Sequence, residues 1–164
     1  MSTTTENAVA TQVYTVYVKA TPEAEWDAIT NPEQTDRYGY GGRVEYDLRA
    51  GGRFVAHPPE AMRAQGAPED LIVGEVIEAD APHKLTQTWN PLFGPPITDE
   101  AVTTLTWEIG EAYGATKVTL THELEGAPLT AGLVSGSVPE MGGGWPWVLS
   151  DLKSLLETGH SFGG

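Results

Sequence analysis

The sequence predicts an α+β domain in which seven antiparallel strands form one curved sheet wrapped around a long C-terminal helix, with two short helices after the first strand. Three observations carry this. Near the C-terminus, Trp145, Val148, Leu149, Leu152, Leu155 and Leu156 recur at helical spacing and make one broad apolar stripe that must be buried. Seven short segments rich in Val, Thr, Tyr and Trp lie between turn-forming residues, most alternating polar with apolar, as strands with one buried face do. Thr21-Pro22-Glu23 and Asn31-Pro32-Glu33 each join an N-cap residue, a proline at the first helical position and an acid in the first turn. Only a sheet is available to receive the long helix.

In chain order, Gln12 to Lys19 reads as the opening strand. A helix from Pro22 to about Ile29 carries Trp26 inward, and a second runs to about Asp36. After the glycine-rich segment 37–42, Arg43 to Leu48 and Arg53 to His57 flank Arg49-Ala50-Gly51-Gly52 as a hairpin, which Pro58-Pro59 ends by removing two backbone donors. Segment 58–70, with its three prolines, is expected to be an ordered excursion or short helix over one end of the sheet. Leu71 to Ala79, Lys84 to Asn90, Val102 to Ile109 and Thr116 to Glu123 supply four more strands. The loop Pro91 to Pro96 is apolar and rigid, and the Gly/Ser/Pro-rich stretch 126–144 is expected to bridge the last strand to the last helix. Pro146 suits that helix's first turn and Gly159 its C-terminal cap. One domain over 12–159 is expected, with tails at 1–11 and 160–164.

Composition narrows the function classes. With 9 Lys+Arg against 23 Asp+Glu the net charge is -14, which repels nucleic acid and anionic membrane surfaces but not a small neutral or cationic ligand. The absence of cysteine excludes disulfides, thiolate catalysis and thiolate-ligated metals. No basic and apolar leader opens the sequence and no run approaches a membrane span, so a cytoplasmic protein is expected. His57, His83, His122 and His160 show no close spacing, so no metal site and no cofactor are expected. Ser135 and Ser137 lack the glycine pattern of a nucleophile elbow, and Gly142-Gly143-Gly144 is followed by no phosphate-binding lysine.

Several motifs in fixed order carry a family resemblance. They are Ala20-Thr21-Pro22-Glu23-Ala24-Glu25-Trp26, Ala50-Gly51-Gly52-Arg53-Phe54, Gly74-Glu75-Val76-Ile77-Glu78 with Pro82-His83-Lys84-Leu85 and Thr88-Trp89, Thr106-Trp107-Glu108, Thr116 to Glu123, and Gly143-Gly144-Trp145 with Leu152 to Glu157. From about Tyr14 to Gly159 the chain resembles the START-like (SRPBCC) superfamily, and within it the subgroup named after the activator of the Hsp90 ATPase. The resemblance implies the helix-grip fold and, most often, small-molecule binding; enzymes and one co-chaperone lineage also occur.

A period-two reading puts Leu85, Gln87 and Trp89, then Leu105, Trp107 and Ile109, then Val118, Leu120 and His122 on the face toward the helix. That wall is aromatic and aliphatic with two polar groups, the composition of a site for an apolar ligand with one or two orienting hydrogen bonds. Tyr38, Tyr40, Met141 and Trp145 are placed at its mouth, and Phe54 on the border between wall and core. The candidate ligand-binding residues are therefore Tyr38, Tyr40, Phe54, Gln87, Trp89, Trp107, His122, Met141 and Trp145, with no catalytic residue assigned. Trp26, Leu149, Leu152 and Leu156 read as plain core, and Glu23, Glu25, Asp27, Glu75 and Glu78 as a solvated face.

The leading expectation is binding of a small hydrophobic or aromatic molecule between sheet and helix. One alternative is a cyclase, lyase or hydrolase with His122 as general acid or base beside Tyr38 or Tyr40. Another is a regulator of a chaperone ATPase, although only about a dozen residues precede the first strand, where the eukaryotic activators of that lineage carry a further domain. A monomer and a homodimer both fit the composition.

Overall fold

A computed structural model describes residues 10–138 and 142–162. Seven strands, β1 (Thr11–Val18), β2 (Val44–Tyr46), β3 (Arg53–Ala56), β4 (Ile72–Asp80), β5 (Lys84–Pro91), β6 (Thr103–Ala112) and β7 (Ala115–Glu123), form one antiparallel sheet in the order β1-β7-β6-β5-β4-β3-β2. The helices are α1 (Pro22–Thr30), α2 (Pro32–Thr35), α3 (Glu60–Ala64), α4 (Pro128–Ser135) and α5 (Gly144–Thr158), with a 3-10 turn over Ile97–Asp99. Since β1 and β2 lie at opposite edges, the one connection that must cross the sheet is the stretch carrying α1 and α2.

The short helices start as their sequences dictate. Thr21 Oγ1 accepts the Ala24 amide at 3.1 Å, and Asn31 Oδ1 accepts the Glu33 amide at 3.0 Å, each satisfying a first-turn donor that the helix cannot. β2 is shorter than expected, but pairing continues past both its ends through His57 N–H to Arg43 O and Asp47 N–H to Arg53 O. The excursion after β3 does contain a short helix, α3, with no fully buried residue.

Cross-strand register places Leu105 opposite His122 and Gln87, and Trp107 opposite Leu120 and Leu85, so the period-two reading holds through β5, β6 and β7. Against this face α5 buries Leu149 and Leu152, with Leu156 packed beside them. Gly159 ends the helix with φ +84° and donates its amide to Leu155 O, the left-handed cap that a side chain would disfavour.

The bridge after β7 is where the structure departs from expectation, because it contains α4. Its cap is remote in sequence: the Glu100 carboxylate accepts the amides of Leu129 and Thr130 at 2.7 and 2.9 Å and the Thr130 hydroxyl at 2.7 Å. Thr130, Ala131 and Val134 are buried, and α4 packs against α5. The two helices abut so closely that a Cβ on Gly144, held at φ +67°, would meet Val134 O at 2.2 Å.

Replacing Glu100 with Ala therefore removes the acceptor for two helix amides and should lower stability by about 1–2 kcal/mol. Urea denaturation gives the total, and amide exchange should quicken over 128–135 rather than across the sheet.

Candidate functional site

Between the concave face of the sheet, the first turn of α5 and the chain after α2 lies a cavity of about 310 Å³. Of the residues singled out in the sequence, Tyr38, Tyr40, Phe54, Trp89, Trp107 and Trp145 line it, while Gln87 and His122 do not. Met141 lies outside the described residues. Further wall comes from Tyr46 on β2, Met62 on α3 and Leu133 on α4. Of these, the excursion holding Met62 was expected near one end of the sheet, and the alternation through Val44 and Tyr46 could have placed Tyr46 inward.

Three indoles shape the inner wall. Trp145 stands 6.0 Å from Trp89 and 5.9 Å from Trp107, ring centre to ring centre, the latter edge to face, an arrangement favoured by aromatic quadrupoles. Behind them runs a chain of hydrogen bonds: Trp145 Nε1–H donates to His122 Nδ1 at 3.0 Å, His122 Nε2 meets Thr103 Oγ1 at 2.8 Å, and the Thr103 hydroxyl donates to Trp89 O at 2.7 Å. An indole can only donate, so Nδ1 is the acceptor and the His122 proton sits on Nε2, facing Thr103. Every polar atom of the chain has its partner. His122 is wholly buried, and burial pushes its pKa down to about 3, so it is a neutral imidazole.

The other polar groups of the wall are engaged in the same inward way. Tyr46 donates its phenol proton to Gln87 Oε1, and Gln87 Nε2 reaches Thr88 O at 3.3 Å. Tyr38 donates to Ala28 O at 2.9 Å, and burial pushes both phenols above their ordinary pKa. Tyr40, partly exposed at the rim, accepts the Gly144 amide at 3.3 Å. The buried carboxylate of Asp151 on α5 accepts the amides of Gly39 at 2.8 Å and Phe162 at 2.6 Å, tying the rim segment to the helix. The cavity surface is thus mostly aromatic and aliphatic, with the polar atoms of Trp145, Tyr38 and Tyr46 turned into the protein.

Glu25 corrects the sequence reading. Rather than lying on a solvated face it is fully buried, because Pro22, Glu25 and Ile29 share the side of α1 that packs toward the core. Neither carboxyl oxygen has a hydrogen-bond partner among the described residues, and the same is true of the Trp107 indole nitrogen. Desolvation raises the Glu25 pKa to about 7. Among the described residues no three His, Asp or Glu side chains converge as metal ligands, and no helix is long and apolar enough to cross a membrane.

A family model described as Activator of Hsp90 ATPase homolog 1-like protein matches residues 19–157. Curated proteins give no match. Among solved structures, the protein MLL2253 of Mesorhizobium loti aligns with TM-score 0.67 and 18% identity over 89% of this chain and 96% of its own. PFC0360w, an HSP90 activator from Plasmodium falciparum, aligns with TM-score 0.61 and 23% identity over 90% and 96%. CalU16 of Micromonospora echinospora aligns with TM-score 0.60 and 20% identity over 88% and 73%. The shared architecture is the helix-grip fold.

The two shifted groups act oppositely on stability. Glu25, with its pKa raised from 4.5 to about 7, favours the folded state most below pH 4.5 and loses that contribution as pH rises through 7. His122, lowered from 6.5 to about 3, favours it most above pH 6.5 and loses that contribution as pH falls toward 3. Between pH 4.5 and 6.5 the two slopes cancel. Glu25→Gln should unmask the His122 slope, and its stability relative to wild type should climb by about 3 kcal/mol from pH 4.5 to pH 8. Urea denaturation across that range checks this; a pH-independent difference would show that Glu25 titrates normally.

Proposed function

The chain belongs to the family of Activator of Hsp90 ATPase homolog 1-like proteins, and from that premise we propose that it binds a small hydrophobic molecule with an aromatic body in the cavity between the sheet and α5. The observation that carries this reading is a cavity of about 310 Å³ walled by indole, phenyl and phenol rings, in which the Trp145 indole and the Tyr38 and Tyr46 phenols are hydrogen-bonded into the protein. That size is at the lower end of small-molecule sites, whose walls are mostly apolar. Water held there would find few partners, so displacing it by an apolar ring is favourable at roughly 25 cal/mol per Å² buried. Three differently inclined indoles offer faces and edges to a flat ring system.

Binding without turnover is the better-supported form of the reading. A general base must reach its substrate proton directly or through one water, yet both His122 nitrogens are bonded to protein and the residue does not line the cavity. Nearby Tyr38 is itself held by Ala28 O.

The uncharged dye N-phenyl-1-naphthylamine, which brightens on leaving water, should bind with one-to-one stoichiometry and quench tryptophan emission. Ala56→Trp and Val44→Trp each place an indole in the cavity from partly buried positions on its wall. Either variant, if folded by circular dichroism, should bind the dye at least tenfold more weakly. No uptake by the wild type, or undiminished uptake by a folded filling variant, would overturn the proposal.

A further inference from the structure

Trp145 belongs to α5, whereas Trp89 and Trp107 belong to the sheet, so the third indole of the cavity wall depends on something that fixes it across the gap between the two layers. Trp145 is not fully buried, and it lines the cavity. Stacking preferences alone leave an indole free to slide or tilt, since offset and edge-to-face arrangements differ little in energy. What singles out one orientation is its N–H bond to His122 Nδ1 at 3.0 Å. That acceptor exists only in one tautomer, and Thr103 selects it: the Thr103 hydroxyl proton is committed to Trp89 O, which leaves its oxygen to accept from His122 Nε2. His122 is wholly buried and Trp89 meets it edge-on at 5.1 Å, so the imidazole itself has no freedom to turn.

We propose that His122 is a positioning residue, which through its Nδ1 acceptor sets the plane of Trp145 and so decides which flat ligands the cavity admits. This rests on the binding reading above, but the orientation of Trp145 can be observed without ligand. The order of dependence runs from Trp89 O to Thr103, from Thr103 to His122, and from His122 to the movable wall.

Two substitutions separate positioning from a merely structural role. In His122→Asn the side-chain oxygen can occupy the place of Nδ1 and keep an acceptor for Trp145, while contact with Thr103 is lost. In His122→Gln the longer amide can keep contact with Thr103, while Trp145 loses its acceptor. The indole N–H resonance of Trp145, assigned by comparison with Trp145→Phe, should move upfield and exchange faster with solvent in His122→Gln. In His122→Asn it should stay near its wild-type position. Affinity for N-phenyl-1-naphthylamine should fall at least tenfold in His122→Gln and recover most of that loss in His122→Asn. In the Trp145→Phe background the Gln substitution should cause no further loss.

An unmoved Trp145 resonance in folded His122→Gln would overturn the proposal. So would affinity losses that follow the melting temperature equally in both variants. If wild-type protein takes up no dye while the resonance behaves as stated, the binding reading fails and the positioning of Trp145 by His122 stands.

Discussion

The structure depends on an uneven contact between α5 and the sheet. Leu149 and Leu152 join the core over the concave face, Leu156 packs against it, and together they hold the middle and end of the helix down. Its first turn, with Gly144, Trp145 and Val148, instead borders the cavity. A straight helix can follow a bent sheet only over part of its length, and the remainder must be bridged by large side chains or left open. Here three indoles form part of the boundary without filling the space, and the close approach of Gly144 to Val134 fixes where the open end begins.

The interior manages its polar groups in two ways. Around the cavity most donors and acceptors pair among themselves, Trp145 with His122, His122 with Thr103, Thr103 with Trp89 O, and Tyr46 with Gln87, while the Trp107 indole N–H has no partner among the described residues. Such pairing lets the surface facing the cavity stay apolar while the protein retains strong orientation-dependent contacts behind it. Under α1 the Glu25 carboxyl has no partner among the described residues, and its desolvation is offset at acidic pH by keeping its proton. Asp151 shows the contrast, because two backbone amides meet its carboxylate at a similar depth. His122 and Glu25 then oppose one another in their dependence on pH, so the burial of each is compatible with a stable protein across the mildly acidic range.

Legibility in the sequence followed the range of the interactions involved. The caps of α1 and α2 lie within three residues of the helices they start, and both helices were placed within about a turn. The faces of β5, β6 and β7 were read correctly because side-chain alternation is a local property of an extended chain. In contrast, α4 was missed because Glu100 caps it from across a loop and a strand pair. Glu25 was misplaced because the buried side of a short helix is set by what it packs on, and residue type alone favours solvent for a carboxylate. Within the candidate site, aromatic residues on inward faces were legible as wall, whereas Gln87 and His122 were expected to face the cavity and instead stand behind it.

By itself the sequence determined the seven strands, α1, α2 and α5, the antiparallel sheet closed by a C-terminal helix, and the apolar character of the surface between them, because periodicity, capping and composition act over a few residues at a time. Tertiary structure alone decided that the surface borders a cavity, which polar groups are spent on each other, and that one carboxyl is buried without a partner among the described residues. Those outcomes depend on distances between side chains far apart in the chain, and such distances are set only when the helix settles onto the sheet.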